Sequence, residues 1–174
     1  DVERDVLYLL DQEYTKFKQE KGMYDYNDML QMFVDKKLSP NFDVLFIDEA
    51  QDLSPLQWAM VRAMWDNSDK TYIAGDDDQA IFKWAGADVD HFIALKDEVD
   101  HIKTLDKSYR VPPGPIFELA QSIRSRITNK YNKEYKPKDG QSGELSYHSD
   151  ITDVDMSKGD WLVLASAHHF FETI

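Results

Sequence analysis

The chain has 174 residues and a formal net charge of −13, and 42% of its residues are hydrophobic and 30% charged. This composition excludes a disordered chain, and the negative charge argues against a protein held to nucleic acid by its bulk charge. The lack of cysteine excludes disulfides and thiolate metal sites, and no apolar run approaches the roughly 18 residues of a membrane span.

Two helices are predicted at the start of the chain. Apolar residues at helical spacing predict a helix over residues 2–20, which a Lys-Gly pair ends. A second short helix is predicted over 27–34, with Asp25 or Asn27 as its N-cap. The acidic residues 1–5 do not form a signal peptide, so we expect a cytoplasmic protein. From the lack of an initiator methionine we expect a fragment or a processed chain.

Two apolar segments separated by a helix predict a parallel sheet. Residues 44–47 form a continuous apolar run, which is typical of a strand buried on both faces, and residues 71–74 form the next buried strand. Between them, residues 54–57 (SPLQ) predict a capping box and the start of a helix that ends near Trp65. This alternation predicts an α/β fold in which helices flank a parallel sheet.

The later segments also alternate between helices and strands. They are, in chain order, a helix near 88–95, a strand at 101–105, a helix at 115–127, a polar loop at 129–143, strands at 144–148 and 161–165, and a helix that begins near His168.

Acidic residues follow both predicted strands of the sheet. The first strand is followed by 48–52 (DEAQD) and the second by 75–79 (GDDDQ). Because ligands bind beyond the carboxyl ends of strands in open α/β sheets, these acids can hold Mg²⁺ that is itself bound to phosphates. A neighbouring Glu can activate water for attack on a phosphoryl group, and a Gln can bind the terminal phosphate. The alternative is that the acids only cap the following helices.

These segments resemble the motifs of superfamily 1 DNA helicases of the UvrD/Rep kind. VLFIDEAQD (44–52) is similar to motif II, a variant of the Walker B motif, and GDDDQAIFKWAGA (75–87) is similar to motif III. LDKSYR (105–110) is similar to the start of motif IV, and 24–30 resembles the segment before motif II. The motifs occur in the family's order and cover roughly residues 24–111.

The resemblance implies a RecA-like P-loop NTPase architecture that is incomplete at both ends. Residues 1–104 would be the C-terminal part of the first RecA-like domain, with an accessory helical segment at about 1–38. Residues 105–174 would begin the second RecA-like domain. In this family ATP binds between the two domains.

The resemblance also implies a role in ATP hydrolysis for individual residues. Asp48 would hold Mg²⁺, directly or through water, and Glu49 would be the general base. Gln79 would sense the γ-phosphate and couple it to DNA. Arg110 would be an arginine finger, a group worth about 10³–10⁵ in rate. The alternative for Arg110 is a surface ion pair.

Three further residues would support nucleotide binding. Tyr109 would stack on the adenine of ATP, or it is a plain packing aromatic. Gln51 is assigned to the cofactor-binding group, and with Asp52 it would act behind the catalytic residues or couple the domains.

Two aromatic residues of motif III, which follow Gln79 closely, are the predicted DNA contacts. The family's motif III Trp stacks on single-stranded DNA, which implies this role for Trp84, with Phe82 beside it. The alternative is that both rings are core residues. The family usually has Arg after this Trp, whereas this chain has Ala85. Residues 103–138 hold nine Lys/Arg against three Asp/Glu, a segment that either contacts DNA phosphates or is a solvated face.

The phosphate-binding loop of the family is missing. No Gly-Lys dipeptide occurs in the chain, so GxxxxGK[ST] is absent. We therefore expect the chain to be an inactive fragment of an ATP-dependent 3′-to-5′ DNA helicase that translocates on single-stranded DNA. Duplex–single-strand junctions are its expected substrates, DNA repair and replication its expected processes, and no membrane partner is expected.

Three alternatives to a simple helicase remain open at this stage. The chain could belong to the motor of a helicase–nuclease of the RecB/AddA kind, which shares these motifs. It could be a helicase remnant kept for protein interaction, which the missing phosphate loop favours. It could also be a two-metal phosphodiesterase built on Asp48 and the three acids at 76–78.

Overall fold

The computed structural model describes residues 2–165 and separates the chain into two compact units. The first unit contains Asp1–Thr104 and Ile127–Asn132, and the second contains Leu105–Arg126 and Lys133–Ile174. The assignment of each unit to one ATPase domain stays a prediction. The elements are α1 (Val2–Lys21), α2 (Tyr26–Asp35), β1 (Phe42–Ile47), α3 (Pro55–Trp65), β2 (Ser68–Ile73), α4 (Val89–Ala94) and α5 (Pro115–Ser125).

The junction between α1 and α2 confirms Asp25 as the helix cap. The Asp25 side chain accepts the backbone N–H of Asp28 at 2.9 Å, and the Asp28 carboxylate accepts the N–H of Asp25 at 2.9 Å. Lys18, near the end of α1, bridges Asp25 at 2.8 Å and Asp28 at 2.7 Å. These hydrogen bonds raise the pKa of Lys18, and the bond from Lys18 lowers the pKa of Asp25. The ammonium group therefore fixes the turn that joins the two helices.

The sheet is parallel and consists of β1 and β2. The strands pair from Phe42 opposite Ser68 to Ile47 opposite Ile73, and α3 connects them. The prediction that both strands are buried is wrong, because only Leu45 of β1 is fully buried. Helix α3 packs against the sheet and α2 packs against α3, which leaves apolar side chains of the sheet exposed.

The exposed side of the sheet carries a stacked aromatic pair. Phe46 and Tyr72 are register partners, with ring centroids 5.1 Å apart and planes 14° from parallel. Phe46 is 73% exposed. A continuous apolar run is thus compatible with one-sided burial, because successive strand side chains point to opposite faces.

Helix α3 begins at the predicted capping box. Gln57 accepts the N–H of Ser54 at 2.8 Å, and the Ser54 hydroxyl accepts the N–H of Gln57 at 3.4 Å. Pro55 occupies the first helical position, where its missing N–H is not needed. The helix buries Trp58 and Val61 in a core that also contains Ala50 and Leu95. This core lies directly beneath the segment that follows β1.

In the described residues of the second unit, up to residue 165, the structure has α5, close to the predicted helix, and an isolated bridge instead of strands. The bridge pairs Lys107 with Lys136, and their side chains form ion pairs with Asp139 and Asp106, each at 2.5 Å. Lys136 lowers the pKa of Asp106 through this hydrogen bond.

The later predicted strands are not present. The strands expected at 101–105, 144–148 and 161–165 are wrong, since those residues are irregular and pair with no strand within the described range. A β-strand needs a hydrogen-bonded neighbour, and local apolar content does not supply one. The helix expected from His168 lies outside the described residues. The described part is therefore an α/β fold with a two-stranded sheet.

Candidate functional site

The site begins where the two parallel strands end side by side. The backbone N–H of Ala74 donates to the carbonyl of Ile47 at 2.8 Å, and the N–H of Ala50 donates to the carbonyl of Ala74 at 3.0 Å. The two segments that follow the strands therefore remain paired past the regular sheet. Ala50 is completely buried, which fixes the backbone beneath the acidic side chains.

Asp48 and Glu49 lie exposed at the end of β1, on a turn with unusual backbone geometry. Glu49 has φ 52° and ψ 40°, in the left-handed region that non-glycine residues avoid. This conformation costs roughly 1–2 kcal/mol for a residue with a Cβ. The Asp48 carboxylate accepts the N–H of Glu49 at 2.9 Å and supports the turn. Strain of this kind is common at functional sites, where the surrounding structure maintains it.

Gln51 joins the two strand ends from below. It is 1% exposed, and its side-chain carbonyl accepts the backbone N–H of Asp76 at 2.9 Å. Its amide nitrogen donates to the Glu49 carboxylate at 2.8 Å and to the Asp52 carboxylate at 3.2 Å. Both ends of this side chain are thus engaged within the protein. A direct contact between Gln51 and a cofactor stays a prediction.

Gly75 is packed tightly against Gln51. A Cβ at this position would lie 2.7 Å from the side-chain oxygen of Gln51 and 2.8 Å from Cζ of Phe92. Glycine is needed here because two side chains approach the backbone closely. The glycine after the second strand therefore has a packing role.

The three acids after β2 have different environments. The Asp76 carboxylate accepts the Gln79 side-chain amide at 2.6 Å and the N–H of Asp78 at 3.3 Å. Asp77 is buried, and its carboxylate accepts the backbone N–H of Tyr131 at 2.5 Å. Together with the hydrogen bonds of Gln51, the bond between Asp76 and Gln79 forms a continuous hydrogen-bonded path from Glu49 through Gln51 and Asp76 to Gln79.

A magnesium ion that arrives with a nucleotide fits Asp48. Such ions keep several waters and are held by one or two carboxylates together with substrate phosphates. In the part of the chain that the structure describes, no group of three or more His, Cys, Asp or Glu could hold a metal. The exposed Asp48 carboxylate could therefore serve as one protein ligand of such an ion, beside the phosphates of the nucleotide.

The two predicted DNA-binding aromatics lie together on the surface. Phe82 and Trp84 have ring centroids 6.4 Å apart with planes tilted by 51°. Trp84 is 84% exposed and Phe82 is exposed as well, so neither is a core residue. Gly86, with φ 96°, ends the turn that carries Trp84. The rings present open faces on which a planar ligand could stack.

Tyr109 and Arg110 belong to the second compact unit. Tyr109 is 83% exposed and Arg110 is also exposed. The Ser108 hydroxyl accepts the N–H of Arg110 at 3.2 Å and the N–H of Val111 at 2.9 Å. This turn holds the backbone and leaves both functional candidates at the surface.

Sequence reasoning found the acids and the aromatics but not the internal links between them. It did not predict the left-handed backbone of Glu49 or the bridging position of Gln51. The available signal was Gly75, because a glycine directly after a strand indicates close approach of other atoms.

The fold and this edge define an α/β protein with carboxylates beyond two parallel strands, where open α/β sheets bind their ligands. The chain belongs to the UvrD/REP helicase N-terminal domain family, whose model matches residues 1–100. None of the described helices has the length and apolar character needed to cross a membrane.

Curated relatives of the chain include several bacterial helicases. The ATP-dependent DNA helicase Rep of Buchnera aphidicola subsp. Baizongia pistaciae (strain Bp) is 26% identical over 132 residues, or 70% of this chain and 20% of the relative. DNA helicase II of Escherichia coli (strain K12) is 28% identical over 120 residues, or 67% of this chain and 16% of the relative. The RecBCD enzyme subunit RecB of Escherichia coli (strain K12) is 36% identical over 77 residues, or 43% of this chain and 6% of the relative. The chain thus spans a fifth or less of the length of these relatives.

Proposed function

We propose that the chain is part of an ATP-dependent DNA helicase that moves 3′ to 5′ along single-stranded DNA inside the cell. Family membership and the names of the helicase relatives support this function. The observation that carries it is the path from Glu49 through Gln51 and Asp76 to Gln79. This path links two residues that would act on the same phosphoryl group.

Glu49 is the proposed general base for ATP hydrolysis. Its exposed carboxylate lies beyond the end of β1, beside Asp48, and can orient a water molecule and accept its proton. Asp48 would hold Mg²⁺ in the manner of a Walker B Asp, and the ion supplies charge neutralisation at the phosphates when bound. Gln79 would contact the terminal phosphate and pass its state to the segment that carries Trp84.

Tyr109 and Arg110 are proposed to make two further contacts to the nucleotide. Tyr109 is the proposed adenine platform, and its exposed ring suits that role. Arg110 is the proposed arginine finger, which would stabilise the charge that develops on the transferred phosphoryl group.

The exposed aromatic pair is the proposed contact with single-stranded DNA. Trp84 and Phe82 offer ring faces to unstacked bases, and such stacking tolerates any base sequence. The basic residues of 103–138 add contacts to DNA phosphates only where they are not already paired, since Lys107 and Lys136 bind carboxylates.

The 174 residues by themselves are proposed to be inactive. A P-loop cradles phosphates with backbone N–H groups and a Lys, and the chain has no Gly-Lys dipeptide. The matched segments cover 20% or less of the curated helicase relatives, and we propose that the phosphate-binding loop lies outside these 174 residues.

A helicase–nuclease motor is the second candidate. The relative with the highest identity among the three described is the RecB subunit, although the match covers 77 residues. Such a motor would use the same site, and an attached nuclease activity would distinguish the two.

Unwinding by the full-length protein tests the proposed direction. We expect ATP-dependent unwinding of a duplex with a 3′ single-stranded tail and much slower unwinding of the same duplex with a 5′ tail. Equal unwinding of both, or preference for the 5′ tail, would contradict the proposed polarity. DNA degradation that requires a divalent metal would favour the helicase–nuclease.

A further inference from the structure

We propose that Gln51 is a positioning residue that holds the Glu49 carboxylate in a fixed position relative to the segment from Asp76 to Gln79. It acts through its neighbours and not by touching the nucleotide. This inference rests on the proposed ATPase function only in the experiments that measure ATP hydrolysis. The hydrogen bonds of Gln51 can be tested without ATP hydrolysis.

The chemistry of the contacts requires an amide at position 51. The nitrogen of Gln51 donates to two carboxylates, those of Glu49 and Asp52, while its oxygen accepts the N–H of Asp76. A Glu at this position could not donate to either acid when ionised and would add a third negative charge. A Met has similar length but makes none of these bonds. Only a side chain with a donor and an acceptor at its end satisfies all three partners.

The side chain of Gln51 has little freedom to move. It is 1% exposed, and its oxygen would lie 2.7 Å from a Cβ added to Gly75. A buried amide that loses its partners is costly, which favours one conformation. The position of Gln51 is therefore set jointly by the core beneath it and the backbone of Gly75.

The Glu49 carboxylate depends on this support because its own backbone is unusual. A left-handed residue on an exposed turn is maintained by the structure around it. The bond from Gln51 directs the carboxylate from the buried side, while Asp48 holds the backbone N–H. Loss of the Gln51 bond would leave the base with more side-chain freedom in the ground state.

The same amide connects the base to Gln79. The Asp76 N–H binds Gln51, and the Asp76 carboxylate binds the Gln79 amide. A shift of the backbone at Asp76 would thus alter the side chains on both sides at once. This arrangement lets occupancy near Gln79 change the orientation of the base.

Variants of Gln51 in the full-length protein test this role. We expect Gln51→Met and Gln51→Glu to lower kcat for DNA-stimulated hydrolysis by about 10- to 100-fold, the range for outer-shell partners that orient active groups. The Kd for ATP should stay within about threefold, because only the orientation of the base changes. Gln31→Met is the matched control, since Gln31 bonds Asp35 on the distant helix α2, and it should keep the wild-type kcat.

A double variant separates positioning from general destabilisation. If Gln51 acts through Glu49, then Gln51→Met should cause no further loss of kcat in a Glu49→Gln background. The same fractional loss in both backgrounds, or a kcat of Gln51→Met within about twofold of wild type, would overturn the role.

A structural measurement keeps the inference testable if the wild-type protein shows no DNA-stimulated hydrolysis, which would overturn the proposed function alone. In the 174-residue chain, the Asp76 amide should exchange its proton slowly and should exchange faster in Gln51→Met, with Trp58 unchanged. Equal exchange at Asp76 in both proteins would overturn the inference.

Discussion

The Glu49 carboxylate accepts a hydrogen bond from Gln51 at 2.8 Å, although the backbone of Glu49 lies in the left-handed region at φ 52°. The side chain is thus anchored to the core while the main chain carries strain. Such strain costs stability that other contacts must offset. We therefore expect substitutions in this turn to affect stability and function differently.

Replacement of Glu49 by residues with and without a Cβ tests the strain. We expect Glu49→Gly to be more stable than Glu49→Ala by about 1 kcal/mol, because glycine adopts the left-handed conformation without steric cost. Both variants lose the bond to Gln51, so their difference isolates the backbone. Urea unfolding of the 174-residue chain measures it, and equal stabilities would contradict the assigned geometry.

Gly75 should tolerate no side chain while Gln51 is present. We expect Gly75→Ala to destabilise the chain by about 1–3 kcal/mol through the overlap with Gln51 and Phe92. In a Gln51→Ala background the cost of Gly75→Ala should be smaller, because one of the two clashes is gone. Unfolding free energies of the four proteins give the coupling, and purely additive effects would show that the two residues do not meet.

Trp84 should affect DNA binding far more than folding. In the full-length protein, Trp84→Ala should weaken binding to single-stranded DNA by about 1–3 kcal/mol, the value of one base–aromatic stack. Fluorescence anisotropy with a labelled oligonucleotide measures the Kd. Trp161→Ala is the control, since Trp161 is also an exposed indole, bonded to the Lys158 carbonyl. The same loss in both variants would argue against a specific site at Trp84.

The stability of the α1–α2 junction should depend on pH in a defined direction. The pKa of Asp25 is lowered by the hydrogen bond from Lys18, so its contribution is present above its unfolded pKa of about 3.9 and is lost as pH falls through the folded value. The pKa of Lys18 is raised, so its contribution is full below about 10.4 and is lost as pH rises through the folded value.

Chemical unfolding between pH 7 and pH 3 checks this behaviour. Lys18→Met should lose stability at pH 7 and should show a smaller further loss towards pH 3 than the wild type. Identical pH profiles for the two proteins would contradict the assigned ion pairs.

Local sequence patterns predicted the helix starts, which depend on residues that are close together in the chain. The capping residues Asp25 and Ser54 and the proline at position 55 act within one helical turn, so their positions could be read directly from the chain. The parallel order of β1 and β2 followed from the helix between them. The strands at 101–105, 144–148 and 161–165 failed because strand formation depends on a partner far away in sequence.

The candidate site was predictable in its residue types but not in its connections. Acids after two strands indicated where a cation and phosphates could bind. The bond from Gln51 to Asp76 joins residues 25 positions apart, and no periodicity reports such a contact. The different environments of these acids were therefore visible only in the structure. The Asp77 carboxylate accepts a hydrogen bond from the Tyr131 N–H, whereas the Asp76 carboxylate accepts one from the side-chain amide of Gln79.

The most direct test of the ATPase account is DNA-stimulated hydrolysis by the full-length protein and its Glu49→Gln variant, with Glu13→Gln on the exposed face of α1 as the matched control. We predict robust wild-type and control turnover, and a fall of about 10²–10⁴-fold in Glu49→Gln with ATP binding retained, because the general base is lost. A folded wild type without DNA-stimulated turnover, or a Glu49→Gln variant as fast as wild type, would contradict the account.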